Sequence, residues 1–352
     1  MSDEILPFPL LAIVGQAELK TALLLGLINP ALGGVLLSGP YGVGKTTAVR
    51  GLLDLMPTVE REREPRPDAE PTTLTTVREP MRLVELPLNA RLEDVVGGIN
   101  ERVALEQQTV RLEPGILAHA HGNLLYVDEI NLLDPAVVDA ILDAAAQGRT
   151  LVRRGPVTRL YPSRFVLVGS MNPEEGALRP QILDRFGLRV WVAPLDDPRQ
   201  RLEVYRRAQA FRADPAGFRA AYAAQTAALA EEVESARAIL PHVTVPPQLE
   251  ELALAVVQAL RIPSHRAEIA LLEGARARAA ADFRTQVNEE DLRRVAPLAL
   301  RQRRSPQIEE HGRRSDDERA AVEAALAQAL PSPHPAPRRK QRSTIHQLGE
   351  EQ

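Results

Sequence analysis

The segment GVLLSGPYGVGKTT, residues 34–47, constrains this chain more than any other stretch. Residues 34–38 are a short apolar run bounded by glycines, the pattern of a buried strand. Gly39, Pro40, Tyr41, Gly42, Val43, Gly44, Lys45 and Thr46 then fit the phosphate-loop pattern G-x-x-x-x-G-K-T, with Thr47 following. A helix is expected from Lys45 to a point before Pro57. Glycines let the backbone turn so that its N–H groups face phosphate oxygens, and the helix N-terminus adds a favourable dipole. Lys45 is placed to reach the β- and γ-phosphates of ATP, and the Thr46 hydroxyl to bind Mg²⁺. The bland alternative, a glycine turn with a chance Lys-Thr, is disfavoured because both flanking elements are present.

Four more segments read as strands: 81–88 (MRLVELPL), 123–129 (NLLYVDE), 164–170 (RFVLVGS) and 188–192 (LRVWV). Helical patterns lie between them, for example 135–148, closed by Gly148. Apolar strands alternating with helices argue for an α/β fold, a parallel sheet covered on both faces. Hydrophobic residues make up 44% and aromatics only 3%, so the core must be aliphatic. Residues 57–80 carry Pro, Glu, Arg and Thr without an apolar period and read as an exposed loop. Residues 96–112 and 150–165 break the alternation and read as inserted β-hairpins, the second turning at Arg154-Gly155-Pro156.

The composition changes after about residue 195. Residues 199–237 read as Ala/Arg/Glu-rich helix, and a further helical stretch follows the proline pair at 246–247 to about 304. The expected division is an ATPase domain over 1–195, a helical linker over 196–245, a C-terminal all-α domain over 246–304 and a disordered tail over 305–352. The chain has no cysteine, which excludes disulfides, thiolate metal sites and cysteine nucleophiles. A formal net charge of -4 gives no global argument for binding nucleic acid or a membrane surface. No run approaches a membrane span, and MSDEILPFP lacks an apolar signal core, so a soluble cytoplasmic protein is expected.

NLLYVDE ends in Asp128-Glu129 at the carboxyl end of a strand, where α/β sheets place ligands. Asp128 is expected to hold Mg²⁺ through water, and Glu129 to accept a proton from the attacking water. Asn172, just past the next strand, can orient that water, although an ordinary asparagine in the turn before Pro173 is the plain alternative. LRPQILDRFG supplies Arg179 and Arg185, either of which could neutralise transition-state charge on a neighbouring subunit's ATP or serve as a surface ion pair. Arg266 follows Ser264, a helix-cap residue, and could swing onto the γ-phosphate.

Together these segments resemble the AAA+ ATPase subunit of magnesium chelatase. The resemblance covers about residues 5–304 and rests on LPFPLLAIVGQAELKTALLLGLINPALGGVLLSGPYGVGKTT, on ILAHAHGNLLYVDEINLLDPAVVDAILDAAAQG, on SRFVLVGSMNPEEGALRPQILDRFG and on SHRAEIALLEGARARAAAD. It implies an AAA+ P-loop sheet with β-hairpin inserts and a C-terminal all-α lid, with Val14 and Gly15 of the IVGQ turn beside the adenine. It makes Asn172 the first sensor, Arg185 the arginine finger and Arg266 the second-sensor arginine. It also implies a ring, usually a hexamer, working with an integrin-type partner subunit and a large porphyrin-binding subunit to insert Mg²⁺ into protoporphyrin IX. PLNARLEDVVGG, the short stretch 57–80 and the basic, proline-rich region beyond 305 depart from the family pattern. Two other readings compete. A MoxR-like chaperone would remodel an integrin-type partner. A nucleic-acid motor would use Arg153, Arg154 and Arg159 on the second hairpin, but three arginines on a hairpin are more often a solvated or partner-facing surface.

Overall fold

The computed structural model describes residues 6–63, 75–99, 112–154 and 157–303, together with residues 106 and 321. Eleven strands are present among them: β1 (Val35–Ser38), β2 (Thr58–Arg63), β3 (Thr75–Pro80), β4 (Leu83–Leu86), β5 (Gly97–Ile99), β6 (Leu112–Pro114), β7 (Leu124–Val127), β8 (Arg149–Arg154), β9 (Val157–Pro162), β10 (Val166–Met171) and β11 (Leu188–Trp191). The helices are α1 (Ala17–Ile28), α2 (Lys45–Arg50), α3 (Leu92–Val96), α4 (Ile116–His119), α5 (Pro135–Gln147), α6 (Pro180–Arg185), α7 (Pro198–Ala213), α8 (Pro215–Ile239), α9 (Pro247–Ala259), α10 (Arg266–Ala281) and α11 (Glu289–Leu300).

The central sheet is five-stranded in the order β11-β1-β10-β7-β4, with every pairing parallel. All five expected strands are in it. β1, β7 and β10 are buried along their whole length, which is why they read as unbroken apolar runs rather than as alternating ones. The two-residue period survives in which core each side chain enters. Val35, Leu37, Leu124, Tyr126, Val166 and Val168 join α1 and the helices after residue 215 in one cluster. Leu36, Leu125, Val127 and Leu167 join α5 and Phe186 in the other. The carboxyl ends of β1, β7 and β10 therefore come to one edge of the sheet, and each delivers a loop there.

The two expected inserts are antiparallel hairpins. β5 pairs with β6 and β8 with β9, although residues 100–105, 107–111 and the Gly155-Pro156 turn lie outside the described residues. Residues 57–80 differ from expectation: β2 and β3 pair antiparallel from Thr58 opposite Pro80 to Arg63 opposite Thr75. An apolar period is missing there because cross-strand charge stands in for it. Glu60 faces Arg78 in the register and pairs with it at 3.4 Å. The stretch 199–237 is two helices, α7 and α8, rather than one. Pro215 has no N–H to continue α7 and disfavours helical geometry at Asp214. Asp214 instead caps α8, its Oδ1 accepting from the Gly217 N–H at 2.9 Å. Among the described residues no helix is long and apolar enough to cross a membrane.

Candidate functional site: a phosphate loop at the sheet edge

β1 ends at Ser38, and the loop Gly39 to Gly44 leads directly into α2. Gly39 is required by space, since a Cβ there would come 2.3 Å from the Val192 carbonyl oxygen. Gly44 is required by conformation, at φ +92° with open space where a Cβ would point. The Lys45 ammonium folds back and donates to the Gly39 and Pro40 carbonyls at 2.5 and 2.9 Å. Burial lowers its pKa, while Asp128, Glu129 and Glu175 oppose the shift. Both acceptors are neutral carbonyls, and a charged phosphate oxygen is a stronger acceptor for the ammonium.

Asp128 sits at the centre of a hydroxyl cage. The Tyr126 hydroxyl donates to Asp128 Oδ1 at 2.7 Å, Thr46 donates to Oδ2 at 3.2 Å, and Ser170 donates to Oδ1. Burial above all pushes the Tyr126 phenol up, so it remains a protonated donor. A carboxylate and a threonine hydroxyl, both oxygen donors, suit a hard cation such as Mg²⁺. Ser170 also accepts from the Glu129 N–H at 3.0 Å. That bond holds Glu129 in the left-handed region, at φ 49°, an uncommon conformation for a residue with a side chain. Partial burial, then Glu175 and Asp128, raise the Glu129 pKa, with Lys45 opposing.

Asn172 is 1% exposed. Its Oδ1 accepts from the Glu174 N–H at 3.2 Å, so it does cap the turn after β10. Its Nδ2 is buried without a well-formed hydrogen bond to any described residue, although its side chain acts on the nearby Tyr41 hydroxyl. A buried amide donor without a well-formed bond fits a site completed by a ligand oxygen or an ordered water. The turn plus the unsatisfied donor is more than the plain asparagine turn requires.

The loop opens into a cleft of about 1230 Å³. Of the expected binding residues, Val14, Pro40, Tyr41, Gly42, Val43, Gly44, Thr46 and Thr47 line it. Gly15 stands behind the wall at φ +63°, where a Cβ would meet Leu195 Cδ2 at 3.0 Å. The opposite wall comes from α7, through Val204, Tyr205 and Ala208, and from Phe8. These wall residues, together with Tyr126, Ser170 and Glu175, are absent from the expected site. The spacing 201, 204, 205, 208 marks one face of α7, but nothing in the sequence says that this face meets the phosphate loop.

Arg185 and Arg266 lie elsewhere. Both line a second, smaller cleft with Asp184, Arg303 and residues 30–33, and the two clefts share no lining residue. Arg185 pairs with Asp143 of α5 at 2.6 Å. Arg179 pairs with Asp139, one turn earlier on the same helix, through both carboxylate oxygens at 3.0 Å. The exposed Arg266 guanidinium has no hydrogen-bond or ion-pair partner among the described residues. Ser264 precedes the assigned cap His265, and its hydroxyl accepts from the Arg266 N–H at 3.3 Å.

A parallel sheet with a phosphate loop after β1, a carboxylate pair after β7 and a buried polar side chain after β10, followed by a helical lid, defines a P-loop protein of the AAA+ class. Residues 10–182 match the model of the family described as magnesium chelatase, subunit ChlI, and residues 250–324 match that of the AAA lid domain. The chain is 44% identical over 312 residues to the magnesium-chelatase 38 kDa subunit of Acidiphilium rubrum, covering 84% of this chain and 90% of that protein. It is 41% identical over 320 residues to the magnesium-chelatase subunit ChlI homolog of Methanocaldococcus jannaschii, covering 85% and 86%. A crystal structure of a protein from Cytophaga hutchinsonii superposes with a TM-score of 0.57 at 22% identity over 86% of this chain and 87% of that one, a likeness of fold. The chain belongs to the magnesium chelatase subunit ChlI family.

Proposed function

We propose that this chain is the ATP-hydrolysing motor subunit of a magnesium chelatase, driving insertion of Mg²⁺ into protoporphyrin IX together with partner subunits. The observation that carries the ATPase reading is the convergence of Lys45, the Thr46–Asp128 pair, Glu129 and the unsatisfied Asn172 amide on one sheet edge. Lys45 binds the β- and γ-phosphates, Glu129 takes the proton of the attacking water, and Asn172 orients that water. Thr46 and Asp128 are the residues that would hold the Mg²⁺ of the nucleotide, which supplies positive charge against the phosphate oxygens. Val14, Gly15 and the α7 face would take the adenine. Residues 1–195 are read as the ATPase domain, 196–245 as a linker and 246–304 as the lid.

Arg185 and Arg266 stand in a cleft separate from the phosphate loop, which favours their acting on the nucleotide of a neighbouring subunit. We therefore read the active form as a ring of copies of this chain, hexameric on the family pattern. An integrin-type subunit and a large porphyrin-binding subunit are its partners, in the cytoplasm. The test is reconstitution with candidate partner subunits, ATP, Mg²⁺ and protoporphyrin IX, following Mg-porphyrin formation by fluorescence. Product that requires this chain and its intact Lys45 supports the reading. ATP turnover without any Mg-porphyrin would remove the chelatase client, and no turnover would remove the motor.

A further inference from the structure

The residue before Arg185 is tied to the lid by more bonds than a surface helix needs. The carboxylate of Asp184, on the last turn of α6, accepts from the Arg303 guanidinium through Oδ1 at 2.7 Å and from the Ser264 hydroxyl through Oδ2 at 2.5 Å. Arg303 is fully buried and also holds the carbonyls of Phe186 at 2.8 Å and Gly187 at 3.1 Å, just past Arg185. Arg189, its side chain 2% exposed, stands 3.8 Å from Asp184 Oδ1 and donates to the Gln302 carbonyl at 2.6 Å. The short segment carrying Arg185 is thus clamped on both sides by groups from the end of the lid.

Ser264 joins the two arginines. Its hydroxyl accepts from the Arg266 N–H at the start of α10 and donates to Asp184, the chain neighbour of Arg185. Capping a helix requires an acceptor only. The donated bond to Asp184 is extra, and it fixes the position of α10 relative to α6. We propose that Asp184 and Ser264 are positioning residues that lock Arg185 and Arg266 into one rigid unit for action on the neighbouring subunit's nucleotide. The proposal rests on the reading that these arginines act across a subunit interface.

Asp184→Asn removes the carboxylate that both buried guanidiniums face and risks misfolding. Ser264→Ala keeps the Arg303–Asp184 pair while removing both the link from α10 to Asp184 and the acceptor for the Arg266 N–H, so it is the better probe. In the assembled full-length protein, Ser264→Ala should lower kcat for ATP by about 10- to 10²-fold, the scale of a small misplacement of a reacting group. Its ATP dissociation constant should stay near that of the parent, its thermal midpoint should fall by no more than the loss of one helix-start acceptor costs, and Ser264→Thr, which restores the hydroxyl, should stay near the parent rate. Mixing makes the role specific. Ser264→Ala subunits supply an intact base, so mixed rings with Glu129→Gln subunits should recover activity; mixed rings with Arg185→Ala subunits should not. A parent-like kcat in Ser264→Ala overturns the proposal, and so does recovery with Arg185→Ala subunits. If Arg185→Ala and Glu129→Gln subunits form mixed rings yet fail to recover, the trans reading itself falls and the proposal with it.

Discussion

Replacing Tyr126 with phenylalanine removes one oxygen from beneath the phosphate loop and leaves the ring in place. Tyr126 is 1% exposed, so the variant opens no void beyond the hydroxyl itself. The lost bond is the 2.7 Å contact to Asp128, and a hydrogen bond to a charged group is worth about 1.5–3 kcal/mol. Asp128 keeps its bonds from Ser170 and Thr46, so it is not left bare, and the cost should fall at the low end, about 1.5 kcal/mol. The functional effect should be larger than that figure suggests. Thr46 also loses a neighbour at 3.1 Å, and both expected Mg²⁺ ligands gain freedom together. Loss of a group that orients a metal ligand typically weakens metal binding by about 10- to 100-fold. Titrating Mg²⁺ into the protein with a fluorescent ATP analogue reads that affinity directly, and thermal denaturation without nucleotide reads the stability. An unchanged Mg²⁺ half-saturation together with an unchanged thermal midpoint would refute the role given to Tyr126.

Glu129→Gln should keep ATP binding and lower turnover by about 10²–10⁴-fold, the usual cost of losing a well-placed base; near-normal steady-state hydrolysis would remove Glu129 from that role. Lys45→Ala should weaken ATP binding itself by about 1.5–3 kcal/mol, through loss of a charge-assisted contact. An unaltered ATP dissociation constant at fixed Mg²⁺ would count against it. Because burial, Glu175 and Asp128 raise the Glu129 pKa, this base is lost as pH falls through a value above the ordinary 4.5. Glu175→Gln removes one of those negative neighbours, so the acid limb of kcat/KM should move to lower pH. A pH–rate profile with an unmoved limb would show that Glu175 does not act on the base.

The local chemistry of this protein is written in short runs of sequence. Gly39 to Thr46 names its own function because backbone conformation, helix dipole and lysine all come from eight consecutive residues. Asp128 and Glu129 are legible for a similar reason, since the strands of a parallel sheet carry the residues at their carboxyl ends to one edge. The apolar runs of β1, β7 and β10 identify the centre of the sheet because burial on both faces leaves no room for polar alternation. Charge, by contrast, hid the β2–β3 hairpin, where Glu60 and Arg78 pair across strands rather than along the chain. The hydroxyls of Tyr126 and Ser170 lie 44 residues apart in number (170 − 126) and become a cage for Asp128 only when β7 and β10 pair in register. The α7 face meets the phosphate loop only through packing, and a helix's amphipathic pattern says that a face is buried, never against what. Arg185 and Arg266 could be named as arginines near helix ends, but which cleft they serve is a matter of tertiary placement. Asp184, Ser264 and Arg303 come from three separate segments, and their joint contact depends on the lid docking against the end of α6. Sequence thus determined the groups that act through their own neighbours in the chain, and the fold decided those that act through space, because side-chain distances across segments arise only once the core is packed.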